Sequence, residues 1–163
     1  MLPPHDAPNR GQCTNIKLNY RRYRMKTDEK ERNKEVVRRF NKEILEQGNY
    51  ESFKELVAID FINRTAPANA NNAEGLWNTF ATVLRPAFPD LTVEIHDQIT
   101  EDDKVVSRKT ISATHTGKIF DVLPTGKAIK IDVIDIVRVK DGQYIEHWGI
   151  NTLQAVLAEL RKA

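Results

Sequence analysis

Ile131-Asp132-Val133-Ile134-Asp135-Ile136-Val137-Arg138-Val139, running on into Lys140-Asp141-Gly142, alternates with a period of two. Its odd positions read Ile, Val, Asp, Val, Val, which predicts a β-strand with one apolar face, Asp132 and Arg138 lying on the other. Asp135 breaks the apolar row. Burying a charged carboxylate costs several kcal/mol, so Asp135 is expected to be paired, coordinated or neutral, with desolvation raising its pKa.

Asp141-Gly142 signals a hairpin into a last strand through Trp148. A three-residue loop with Gly142 left-handed pairs Val139 with Gln143 and Asp135 with His147, and places Ile145 beside Val137. A two-residue turn instead brings Glu146 and Trp148 to the Asp135 face. The first register buries less charge and is the preferred one.

Upstream, Lys104 to Thr116 is rich in Val, Ile and Thr and reads as a long strand, preceded by an alternating segment from Leu91 and the acidic turn Glu101-Asp102-Asp103. Gly117 and Pro124-Thr125-Gly126 bracket a loop. Earlier still the period is near 3.6. Val36, Val37, Phe40, Ile44 and Leu45 share one helical face between Thr27 and Gly48; a short helix carries Tyr50, Phe53, Leu56 and Val57 and gives way to an apolar run ending at Asn63. A third helix, from near Asn72, groups Leu76, Trp77 and Phe80 and ends at Pro86. A closing helix from Asn151 buries Leu153, Val156, Leu157 and Leu160. Helices first and antiparallel strands afterwards define an α+β class.

The 163 residues, 40% of them apolar, suit one domain with one core. No apolar run approaches the roughly 20 residues of a membrane span or forms a secretory signal, so a cytoplasmic protein is expected, without a membrane partner. Cys13 is the only cysteine, which excludes an internal disulfide or a zinc knuckle. Residues 1–26 carry six basic side chains against Asp6, whereas the remainder has a net charge of −3. Nucleic acid is therefore not the expected partner. Residues 1–26 read as a flexible basic extension, a leader upstream of a start at Met25, with the folded domain spanning 27–163.

Asp135 and His147 in one pocket suit a general base with its orienting partner, or equally a structural aspartate satisfied by a histidine. Arg108 and His115 on the long strand are further candidates, Arg108 sharing its side with Val106, Thr110, Ser112 and Thr114. Asn63, Arg108, Trp148, Trp77 and Phe80 are the candidate substrate contacts. His115, His147 and Asp135 lack the spacing of a metal site, and no phosphate loop, nucleophile elbow or His-Glu-x-x-His is present. Neither metal nor cofactor is expected.

Ala87-Phe88-Pro89-Asp90-Leu91, Asp103-Lys104-Val105-Val106-Ser107-Arg108, Thr114-His115-Thr116-Gly117, Pro124-Thr125-Gly126-Lys127, the Ile134 to Gly142 segment and Glu146-His147-Trp148 together resemble the SnoaL-like ester cyclases of the nuclear transport factor two-like superfamily. The resemblance runs from about Glu29 to Leu160. It implies a cone of curved antiparallel sheet closed by helices around an apolar cavity, assembled as a dimer or tetramer. It also implies cofactor-free aldol closure of a polyketide ester, with Asp135 as acid/base, His115 as a catalytic histidine and Asn63 at the site. Arg64 departs from the pattern, which carries histidine in that neighbourhood. Isomerase, dehydratase or hydrolase chemistry in the same pocket, and a non-catalytic binding module, are the competing readings.

Overall fold

The computed structural model describes residue 25 and residues 27–162, so the expected extension at 1–26 lies almost wholly outside the described residues. Helix α1 spans residues 27–46, its last seven, Phe40–Glu46, wound in wide π-type turns, and it stops at Gly48, whose φ of 67° is left-handed. Helix α2 is Tyr50–Leu56, capped by the Asn49 side chain, which accepts from Ser52 N–H. Strand β1 follows as Val57–Asn63. Helix α3 comprises Ala73–Asn78, Thr79–Leu84 in π-type turns and Arg85–Ala87. Its sequence boundary at Pro86 is passed, because Phe88 N–H still donates to Leu84 O at 2.9 Å.

Strands β2 (Thr92–Glu101), β3 (Lys104–Thr114), β4 (Ala128–Lys140) and β5 (Gln143–Asn151) precede helix α4 (Leu153–Leu160). The sheet order is β1-β5-β4-β3-β2, antiparallel except for β1, which runs parallel to β5. Sequence reading missed β1 as a strand: its apolar run is short, and its partner is nearly 90 residues away. The result is an α+β fold with one curved sheet and four helices. Phe61, Phe88, Ile44, Leu56 and Leu157 are fully buried between sheet and helices.

The period of two holds on β3 and β4. Val105, Ser107, Lys109, Ile111 and Ala113 face the helices beside Ile131, Val133, Asp135, Val137 and Val139. The hairpin register differs from the preferred one. Asp141 and Gly142, both left-handed, form a two-residue turn that pairs Lys140 with Gln143 and Val139 with Tyr144. A bulge at Ile145 then shifts the ladder, so Arg138 meets Glu146, Val137 meets His147 and Asp135 meets Gly149. The extra residue keeps Glu146 on the outer face with Arg138, 3.1 Å away, and returns His147 to the inner face. Turn chemistry and charge burial are thus both satisfied.

Candidate active site

The inner face of the sheet and helices α1 and α3 enclose a cavity of about 360 Å³. Its walls are mainly apolar: Phe61 from β1, Phe80 and Val83 from α3, Ile111, Ile131 and Val133 from the sheet. Phe80 meets Phe40 edge-on at 5.9 Å. Loop residues between β1 and α3, with Phe120, complete the lining.

Asp135 lies in this lining, buried, with both carboxylate oxygens engaged. Lys109, only 5% exposed, forms an ion pair with Oδ2, and its ammonium also donates to Asn41 Oδ1 at 2.8 Å. Asn41 in turn donates to Val37 O, which ties the cation to α1. His147 Nε2 lies 3.0 Å from Asp135 Oδ1, and Nδ1 lies 3.1 Å from Asn63 Oδ1. Asn63 Oδ1 is fixed as an acceptor by Thr65 N–H and Thr65 Oγ1. Both ring nitrogens of His147 thus face an oxygen.

The charge balance at Asp135 differs from the sequence expectation. Burial is the largest single influence and pushes the carboxylate up, as expected. The Lys109 ammonium and the His147 ring together outweigh it and hold Asp135 at about 2. The balance therefore favours an ionised carboxylate in the cavity wall.

Gly149 sits directly opposite Asp135 and leaves room for this contact. A Cβ there would lie 2.8 Å from Asp135 Oδ1 and 2.9 to 3.0 Å from the His147 ring. Gly149→Ala is therefore expected to part the pair and to lower any turnover about a hundredfold, since misplacing a catalytic group by about 1 Å costs that much. Steady-state kinetics beside a thermal melt checks this; unchanged kinetics contradicts it.

Asn63 and Phe80 reach the cavity, but four other candidates do not. Arg108 occupies an even position, is exposed and pairs with Asp97 at 2.7 Å on the outer face. Trp148 pairs with Ile136 on that same face. Trp77 packs on Tyr50 and Phe53 at 4.7 and 5.2 Å, between α2 and α3. His115 is sealed next to Phe88, with Nδ1 3.1 Å from Thr125 Oγ1, outside the cavity wall and apart from Asp135. Among the described residues no three His, Cys, Asp or Glu side chains converge as metal ligands. Arg64, where the sequence departs from pattern, pairs with Glu146 at 2.6 Å.

Lys109 and Tyr144 line the cavity without having been singled out in the sequence. For Lys109 the signal was present: it breaks the apolar row of β3 as Asp135 breaks that of β4. Tyr144 needed the hairpin register.

The model of the SnoaL-like polyketide cyclase family matches residues 35–160. The chain belongs to this family. Its fold is shared with solved members. A proposed polyketide cyclase from Acidithiobacillus ferrooxidans is 27% identical with a TM-score of 0.71, over 81% of this chain and 96% of that one. A proposed SnoaL-like polyketide cyclase from Jannaschia sp. CCS1 is 25% identical, TM-score 0.70, over 80% and 92%. IdmH, a proposed polyketide cyclase from Streptomyces antibioticus, is 25% identical, TM-score 0.69, over 79% and 98%. No curated protein matches. Within the SnoaL-like fold, the ion pair Lys109–Asp135 joins β3 to β4, and the His147 contacts join β4 to β5 and β1.

Proposed function

We propose that this chain closes a ring by a cofactor-free intramolecular aldol step on a small apolar carbonyl compound of the polyketide ester type. The observation that carries the proposal is a buried carboxylate, Asp135, in the wall of an apolar cavity, held between the Lys109 ammonium and the His147 ring. Asp135 takes a proton from an acidic carbon next to a carbonyl, and the enolate attacks a second carbonyl of the same molecule. One C–C bond forms, and the resulting alkoxide takes the proton back from Asp135.

A carboxylate held at about 2 is a weak base, so its basicity has to rise during the reaction. The ranking of influences supplies the means. As negative charge passes to the substrate oxygen, the N–H groups of Lys109 and His147 follow it, and burial is left to push Asp135 upward. Carboxylate and enolate share the same donors, and the dry wall strengthens both interactions.

Incubation with an aromatic methyl keto ester is expected to give a ring-closed isomer of unchanged mass, or the same ring less one water. A carboxylic acid from ester hydrolysis, a shifted double bond without a ring, or no product contradicts the proposal. A binding module is the second reading, favoured by the full engagement of both Asp135 oxygens; it predicts tight ligand binding with no reaction. A cytoplasmic setting belongs to the same proposal. Among the described residues no helix is long and apolar enough to cross a membrane.

We also propose a homodimer through the outer sheet face. Ile99, Val106, Ile136 and Trp148 form one row across four strands, with Ile134 and Ile150 paired beside it. Ile99 and Ile150 are 68% and 70% exposed, an apolar surface that suits a partner better than water. Sedimentation velocity is expected to give twice the chain mass, and Ile136→Glu the chain mass with an unchanged fold. A monomeric native protein contradicts this.

A further inference from the structure

We propose that Tyr144 is a catalytic residue whose hydroxyl donates a hydrogen bond to the enolate oxygen of the substrate; the inference rests on the acid/base reading above. Tyr144 lines the cavity and is 3% exposed. Its ring stacks on Phe40 at 4.3 Å with 10° between the planes, which fixes where the hydroxyl points. That hydroxyl makes no hydrogen bond to a described residue. Nor is it sealed, for among the described residues His115 Nε2 is the only side-chain polar atom both sealed and unpaired. A phenol that is unpaired but open, on a residue so deeply buried, opens on the cavity.

Phenylalanine would stack on Phe40 equally well and would leave no polar group without a partner. The hydroxyl therefore calls for a partner that the protein itself does not supply. Acceptors within the site are already engaged: the Asp135 oxygens by Lys109 and His147, and Asn63 Oδ1 by His147 and Thr65. What the wall still offers is a donor, the complement of a ligand oxygen. Burial foremost, and then the Asp135 carboxylate, push the phenol well above its ordinary pKa, which keeps the proton on it. On the ladder Asp135 pairs with Gly149 and Val139 with Tyr144, two inward rungs or about 13 Å of strand apart, a gap the long tyrosine side chain narrows enough for the Asp135 charge to act on the phenol. Base and donor thus stand on one wall, as proton removal beside a carbonyl requires.

The test uses 4-nitrophenolate as a stand-in for the enolate and 4-nitrotoluene as its neutral isostere, titrated against the native protein and Tyr144→Phe at a pH where the phenol is ionised. The substitution keeps the ring stack and removes an unpaired group, so the fold is retained. Phenolate binding is expected to weaken about tenfold or more, as for a hydrogen bond to a charged group, while nitrotoluene binding stays within about twofold. Equal weakening of both ligands assigns Tyr144 to packing and overturns the proposal. Unchanged phenolate binding overturns it, as does failure of the native protein to bind phenolate. The acid/base reading fails separately, on the activity of Asp135→Asn.

Discussion

Asp135→Asn is expected to lower the rate of ring closure by about 10² to 10⁴, the range attributed to a positioned general base. Asparagine keeps the shape of the side chain and can still accept from His147, but it takes no proton from carbon. The substitution also removes the counter-charge of Lys109, which is 5% exposed, so a loss of stability accompanies the loss of rate. The double variant Asp135→Asn with Lys109→Met separates the two effects. With both charges gone, stability is expected to recover much of the loss while activity does not. Kinetics and chemical denaturation on the single and double variants check this, and near-normal turnover in Asp135→Asn removes the mechanism.

Lys109→Met is expected to have the largest effect on stability, about 3 to 5 kcal/mol at neutral pH, because it leaves the buried Asp135 charge opposed by His147 alone. The pH dependence has a definite sign. In the native protein the Asp135 pKa, about 2, lies below its ordinary value of 3.8. Its contribution, roughly 2 kcal/mol, is therefore present above the ordinary carboxylate range and lost as pH falls through the folded value. Without the ammonium, burial is the stronger influence and the depression is diminished or reversed. The stability gap between native and variant proteins is expected to narrow as pH is lowered from 7 toward 3. Urea denaturation across that range measures it, and a gap that stays constant contradicts the assigned role of Lys109.

Much of this site was legible because it consists of violations of a simple rule. A period of two on β4 marks Asp135 as an inward carboxylate without any knowledge of its neighbours. The same rule applied to β3 marks Lys109, and Arg108, one position away, is sent to the outer face. What spacing did not reveal was the bulge at Ile145, an inserted residue that no alternation announces. It reconciles the favoured two-residue Asp141-Gly142 turn, which itself places Tyr144 on the inner face, with an inward His147. The lysine also explains why burial failed to predict the state of Asp135. Desolvation has the expected direction and is the largest influence, yet two cross-strand donors outweigh it. His115 shows the opposite case, a polar residue in a family motif that packing seals against Phe88 away from the cavity.

Proton transfer by Asp135 to and from a ligand held within this cavity can be checked by a crystal structure of the protein soaked with an aromatic keto ester. The acidic carbon of the ligand is expected within hydrogen-bonding reach of Asp135, with its carbonyl oxygen turned toward Lys109, His147 or Tyr144. A ligand bound on the outer face, or a cavity that stays empty with Asp135 still locked to Lys109 at saturating ligand, would contradict it.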